Sequence, residues 1–301
     1  MLSICIPVYN VDVSILVQSL LTQVDTISHA VEIILIDDCS EAHLKHINQS
    51  IRGVKYVQLE ANIGRAKIRN RFIDHAQYEY LLFLDCDSLV INDDFLKNYV
   101  EQIQLKKLVV CGGRLYPNNC TSQQYKLSWK YGFYRESQSA ISRSICPNKS
   151  FMTNNFMVSS SLFQQIKFEE LIGEYGHEDT LFGYRLYQQK IEVTHIDNPV
   201  LNGDIEINAV YLSKTETGIG NLILILNLMN FDQGFIDQVT LLKFYFRLKA
   251  YKLTGLFGLF FTLFKPFIKQ SLINGWVSLL LFDVYKLGIL HQKLMQDVVN
   301  K

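Results

Sequence analysis

Residues 80–90 read Tyr80-Leu81-Leu82-Phe83-Leu84-Asp85-Cys86-Asp87-Ser88-Leu89-Val90. An apolar run ends in two aspartates spaced i and i+2. On an extended chain such side chains share a face, and open α/β sheets hold ligands at the carboxyl ends of their strands. Two carboxylates side by side repel unless a cation or hydrogen bonds compensate them. The pattern implies a divalent metal and, behind it, an anionic group such as a diphosphate.

Outward from this stretch, strand and helix patterns alternate. Leu2–Pro7 and Val31–Ile36 are short apolar runs, the second closed by Asp37-Asp38. Val54–Leu59 is a third strand and Leu108–Cys111 another. Val13, Leu16, Val17, Leu20 and Leu21 fall on one helical face. Ser40 reads as an N-cap before a short helix over His43–Ser50, and Asn92 or Asp93 as the cap of a helix over Phe95–Gln104. Arg65–Ala76 and Glu178–Gln189 read as helices, Ile191–Ile196 as a strand and Ala209–Leu228 as a helix, whereas 114–150 has no clear period beyond a helix near 122–134. Strands separated by helices predict a mainly parallel sheet covered on both faces.

Composition narrows the possibilities. The chain has 301 residues, 29 basic and 29 acidic, so no global field draws it to nucleic acid. Its six cysteines form no C-x-x-C pair, which argues against a zinc knuckle. No basic region precedes an apolar stretch at the start, so the expected compartment is the reducing cytoplasm. No G-x-G-x-x-G follows a strand and no P-loop motif occurs, which argues against dinucleotide dehydrogenases and P-loop NTPases.

Polar residues recur at strand ends: Pro7, Tyr9 and Asn10 after the first, Asp37 and Asp38 after the second, Asp85 and Asp87 after the fourth. Each acid alone would be an ordinary turn or cap; their repetition along one sheet edge points to a shared crevice. Arg65, Lys67, Arg69 and Arg71 follow Asn62-Ile63-Gly64, with Arg65 and Arg69 on one helical face and helix-start N–H groups available to an anion. A second block, Gly173-Glu174-Tyr175-Gly176-His177-Glu178-Asp179, opens a helix on which Arg185 could hold Glu178.

In order, S-I-C-I-P-V-Y-N, I-D-D-C-S, N-I-G-R-A-K-I-R-N, L-D-C-D and G-H-E-D resemble glycosyltransferase family 2, inverting nucleotide-sugar transferases of the GT-A fold, over residues 1–225. The resemblance implies a Rossmann-like, mainly parallel sheet flanked by helices. It implies a catalytic domain over 1–225, with a nucleotide-sugar half at 1–112 and an acceptor half at 113–225. Residues 226–301 would be a helical C-terminal extension. By the same resemblance Pro7, Tyr9 and Asp38 would cradle the nucleobase and ribose, and Arg69 the ribose or diphosphate. Asp85 and Asp87 would be the D-x-D pair, with Asp87 the direct ligand of Mn²⁺ or Mg²⁺. Asp179 would be the general base, Glu178 would place the acceptor, and Thr153, Asn154 and Asn155 would line the acceptor and sugar pocket. Related sequences often carry a histidine after N-P-V. Here Asn198-Pro199-Val200-Leu201 leads to Asn202, whose amide oxygen is a weaker metal ligand. His195, in an alternating strand, reads as a core residue or as one that supports the site from behind.

The expected reaction moves a sugar from a nucleoside-diphosphate donor, UDP-linked, to a hydroxyl of a glycan or lipid-linked acceptor. A polyprenyl-phosphate sugar synthase is the alternative, with a D-x-D phosphatase or a non-catalytic sugar-binding protein behind it. Residues 231–301 hold nine Lys or Arg against four Asp, interleaved with Leu and Phe. Basic and aromatic residues together suit a peripheral contact with the inner face of the cell membrane. A cap on the catalytic domain or a dimer interface fits the same pattern. Lys265-Pro266 is expected to end the apolar run short of the roughly 18–20 residues of a spanning helix.

Overall fold

The computed structural model describes residues 1–299 apart from 121, 174 and 204. The elements run β1 (Leu2–Val8), α1 (Ser14–Val24), β2 (Val31–Asp37), α2 (Ala42–Gln49), β3 (Lys55–Gln58), α3 (Arg65–Arg71), β4 (Tyr80–Leu84), β5 (Ser88–Val90), α4 (Phe95–Gln104), β6 (Val109–Cys111), β7 (Arg114–Leu115), α5 (Lys126–Tyr131), α6 (Ala140–Ser144), β8 (Asn155–Ser159), α7 (Ser160–Gln165), α8 (Glu178–Gln188), β9 (Thr194–His195), β10 (Val200–Asn202), α9 (Asn208–Leu228), α10 (Gln233–Gln238), α11 (Thr240–Ala250), α12 (Thr254–Ile273) and α13 (Leu279–Val299).

A seven-stranded sheet runs β3-β2-β1-β4-β8-β6-β9. β3, β2, β1 and β4 are parallel, with Leu2 opposite both Val31 and Tyr80. β8 runs antiparallel between β4 and β6. The expected mainly parallel sheet is therefore present, and its period of two explains the two cores. Ile4, Ile6, Ile33, Leu35, Leu82 and Leu84 pack with Leu16, Val17 and Leu20 of α1 and with Phe95, Leu96 and Tyr99 of α4. The alternate residues Cys5, Ile34, Ile36, Leu81 and Phe83 pack with Ile68 of α3, Phe163 of α7 and Phe182 of α8. Both faces of every central strand are buried, so these strands are continuous apolar runs. A small sheet, β5-β10-β7, sets Asn202 opposite Ser88.

The chain forms two compact units. One comprises Met1–Tyr116, Glu136–Gly173 and Glu178–Asp204; the other Pro117–Arg135, Glu174–His177 and Ile205–Lys301. The division differs from the expected boundary at 225, because α9 belongs with the C-terminal helices. In that second unit α9 buries Leu212, Leu222, Ile225 and Leu226, and Asn208 at its start ties Leu127 N–H to the unit at 2.8 Å.

Three local expectations need correcting. Ser40 is no cap: its hydroxyl accepts Asn10 N–H at 2.8 Å, and α2 starts two residues later, after extended Glu41. The strand expected over 191–196 shrinks to β9, because only Thr194 and His195 pair with β6. The apolar run does not stop at Lys265-Pro266. α12 continues through Pro266, which sits on the exposed side, where the ring displaces no packed neighbour.

Candidate active site

The first unit gathers the strand-end acids through α3. Asp38 follows β2, and its carboxylate accepts Ile63 N–H at 2.7 Å and Gly64 N–H at 3.1 Å. The anion at the entrance to α3 is thus the chain's own Asp38. Burial raises its pKa above the ordinary aspartate value, and carboxylate oxygens keep further lone pairs for a ligand. Gly64 has φ +84°, and a Cβ there would meet Gly173 O at 2.8 Å, so only glycine fits this turn.

α3 then presents two arginines that differ in burial. Arg69 is buried: its Nη2 donates to Asp85 Oδ1 at 2.7 Å and its Nη1 to Arg65 O at 3.2 Å. Two of its guanidinium nitrogens are used inside the protein, while the buried Nε has no hydrogen-bond partner. Arg65, with its side chain 40% exposed, pairs with Glu178 Oε1 through Nε at 3.0 Å and with Asp85 Oδ2 through Nη2 at 3.6 Å. Residues from β4's end and from α8, remote in sequence, therefore share one guanidinium pair. Arg185 plays no part in it: two turns along α8, it pairs with Glu169 at 2.6 Å. Two helical turns carry a side chain about 11 Å along the axis, out of reach of Glu178.

The four acids respond differently to this setting. Burial opposes ionisation of Asp85, but Arg69, Arg65 and Arg114 outweigh it and hold its carboxyl below the usual range. Glu178 is likewise held down by Arg65 and Arg69 against burial. Asp87 goes the other way, raised by burial and then by the charge of Asp85. Among the described residues no ion pair engages Asp87. Burial, followed by Glu178's charge, pushes Asp179 up to about 6. One Asp179 oxygen accepts Thr180 N–H at 2.6 Å, and the residue is half-buried.

Asn202 faces a competitor for its proposed metal role. Arg114 Nη2 donates to its Oδ1 at 2.8 Å, while Nη1 pairs with Glu136 at 3.2 Å. Tyr116 OH donates to the same Glu136 oxygen at 2.7 Å. Glu136, Tyr116, Asp85 and Asp87 outweigh burial and keep Arg114 firmly cationic. Sequence reasoning missed this arginine. Its only sequence cue is a basic residue just after β6, and its partners come from β10, three residues long, and from the turn ending at Glu136, within the stretch that shows no clear period.

The remaining expected residues divide. Pro7 and Tyr9 lie at the end of β1, and Tyr9 N–H faces the Cys86 thiol between the two D-x-D carboxylates. Tyr9 is half exposed, as a platform for a planar base requires. Asn154 O accepts Asp85 N–H at 3.1 Å, and its buried Nδ2 has no hydrogen-bond partner. Thr153 is buried beside it. Asn155 is used by the fold: Tyr99 OH donates to its Oδ1 at 2.6 Å, and its Nδ2 donates to Gly113 O and Asn198 O, both at 2.9 Å. It has no donor left for an acceptor sugar. His195 is a core residue as expected. It is buried, with Nδ1 2.7 Å from Arg143 and Nε2 2.9 Å from Pro147 O, an arrangement that suits neutral imidazole. Glu174 of the second sequence block lies outside the described residues.

Among the described residues, no three His, Cys, Asp or Glu side chains converge as a closed metal cage. Mg²⁺ and Mn²⁺ do not need one. Hard cations at phosphate sites take one or two carboxylates plus substrate oxygens, and Asp87 with Asp85 supplies that set.

Comparison with known proteins gives the family and the fold. The family model described as Glycosyl transferase family 2 matches residues 3–166. An uncharacterized glycosyltransferase of Haemophilus influenzae is 37% identical over 101 residues, which cover 32% of this chain and 40% of that protein. A chondroitin synthase of Escherichia coli is 25% identical over 226 residues, 62% of this chain and 32% of that protein. The chain thus spans well under half the length of either curated relative. Glucosyl-3-phosphoglycerate synthase from Mycobacterium tuberculosis, in complex with Mn²⁺, UDP and glucosyl-3-phosphoglycerate, superposes with TM-score 0.52 at 13% identity, covering 74% of this chain and 79% of that one. That likeness extends to the fold.

Proposed function

The chain belongs to glycosyl transferase family 2, and from that premise we propose that it transfers a sugar from a UDP-linked donor to a hydroxyl of a glycan or lipid-linked acceptor, with inversion at the anomeric carbon. One observation carries the reading: Arg65 and Arg69 join Asp85, at the end of β4, to Glu178, at the start of α8. A carboxylate matched to donor binding and the one matched to acceptor placement, next in sequence to the base Asp179, are thereby held as one cluster.

In this reading Tyr9 and Asp38 receive the base and ribose. Asp87, with Asp85 behind it, would hold Mn²⁺ or Mg²⁺, which when bound neutralises charge on the departing diphosphate. The M. tuberculosis enzyme of the same fold, crystallised with Mn²⁺ and UDP, supports that choice. Arg114 adds a fixed positive charge beside Asn202. Asp179 takes the acceptor's hydroxyl proton as the new C–O bond forms and the sugar–diphosphate bond breaks, its electron pair leaving with UDP. The transition state resembles an oxocarbenium ion. A base with a pKa of about 6 is ionised at neutral pH and still basic enough to accept the proton. An already ionised phosphate acceptor would need no such base, so a hydroxyl acceptor is favoured.

The test is a donor screen that follows UDP or GDP release with Mn²⁺ and with EDTA, repeated on Asp179→Asn. Release with a UDP-sugar that EDTA stops, and that falls about 10²- to 10⁴-fold in the variant, is the expected result. Near-normal turnover by Asp179→Asn refutes the assignment of the base.

A further inference from the structure

In the second unit, α12 is apolar on both sides. Gly258, Phe261, Ile268 and Leu272 are buried on its inner side, and Phe261 meets Tyr285 of α13 edge-on at 5.9 Å. On the outer side Leu256, Leu259, Phe260, Leu263, Phe264 and Phe267 are 41–74% exposed. Their spacing i, i+3, i+4, i+7, i+8 and i+11 makes one stripe about 16 Å long. A surface helix of a globular protein normally turns polar residues outward. Single exposed apolar residues are ordinary, whereas a contiguous stripe marks an interaction surface.

Charge indicates what covers it. Residues 238–282 contain six Lys or Arg and no Asp or Glu. Arg247, Lys249 and Lys252, at the end of α11 and in the turn before α12, are exposed. Tyr251 and Trp276, 75% and 79% exposed, flank the two ends of α12. Amphipathic aromatics at the margins of an apolar band, with cations beside them, match the layering of a lipid surface.

We propose that the outer face of α12 docks on a bilayer containing anionic lipid, with the helix lying in the plane of the interface. By length and composition α12 is also long and apolar enough to cross a membrane. Its inner face decides against crossing. Lys269 pairs with Glu216 of α9 at 3.1 Å, Tyr285 donates to the same carboxylate, and Lys265 donates to Gln292 at 2.8 Å. Insertion across a bilayer would strip that face from α9 and α13, while an interfacial helix keeps it and buries only the other. A second copy of the chain is the poorer partner. A two-fold contact sets a surface against itself, which would bring an acid-free basic segment against its own like charges.

This inference is independent of the transferase chemistry. Its test is flotation of the full-length protein with vesicles of phosphatidylcholine alone and of phosphatidylcholine with 30% phosphatidylglycerol. Binding to the anionic vesicles is expected, weakening as salt rises, with a blue shift of Trp276 emission. Leu259→Glu with Leu263→Glu is expected to cut partitioning at least tenfold at unchanged melting temperature. Lys249→Glu with Lys252→Glu is expected to remove the preference for anionic lipid. Wild-type protein that stays in the aqueous fraction with both vesicle types, with unshifted emission, overturns the proposal. So does a dimer that Leu259→Glu dissociates in the absence of any vesicle binding.

Discussion

α3 and α12 break the usual rule of burial in opposite directions. α3 hides a charge: Arg69 is 2% exposed. α12 shows grease: Phe267 is 74% exposed. A buried charge is tolerated only when partners compensate it, and Arg69 has Asp85 and the Arg65 carbonyl as partners. An exposed apolar stripe is tolerated where something covers it in use. In the first unit the exception comes with its compensation in place, so it reads as a rigid, prearranged site. In the second unit the compensation is external, so the exception reads as a docking face. Departures from local rules are expected where function lies.

The comparison breaks most readily at Arg69. Arg69→Ala leaves Asp85 buried with only the longer Arg65 contact and is expected to cost about 3–5 kcal/mol, read from urea denaturation. A change under 1 kcal/mol would mean that the cluster is loosely held. The acid cluster can also be sharpened through pH. As the proposed base, Asp179 acts ionised, so kcat/KM should be full above about pH 6 and fall tenfold per unit below it, as the carboxylate takes up a proton. Glu178→Gln removes the neighbouring negative charge, so the acid limb should move to lower pH; an unmoved limb separates the two carboxylates. The smallest effect belongs to α12. Phe267→Ser should change stability by about 0.5 kcal/mol or less, as exposed positions do, whereas Phe261→Ala on the inner face should cost about 3–5 kcal/mol. Equal losses at both positions would show that the outer face is packed in solution.

What the sequence revealed follows the same division. Strand ends were legible because a continuous apolar run and a closing acid are local signals. The D-x-D pair and Asp38 were found that way, whereas the Glu178-Asp179 pair, which opens α8, was found from its glycine-flanked block and the family resemblance. The direction of each side chain was less legible. Arg185 was read as the partner of Glu178, but it lies two helical turns away, and packing of α3 against α8 supplies Arg65 instead. Asn155 looks like its neighbour Asn154, yet the side-chain alternation of β8 turns it onto Tyr99 and the 112–113 turn. Arg114 was invisible because β7 and β10 are too short to show a period. Pro266 misled because the local cost of a proline inside a helix does not always end it, and α12 continues through it with its ring on the exposed side.

The central claim is that remote acids of the first unit assemble around a cation-held pyrophosphate. Calorimetric titration of UDP into the wild-type protein and into Asp87→Ala, in Mn²⁺ and in EDTA, tests it most directly. The proposed metal role predicts binding by the wild type in Mn²⁺, loss of that binding in EDTA, and affinity at least tenfold weaker in Asp87→Ala. UDP affinity unchanged by the substitution or by the chelator would contradict it.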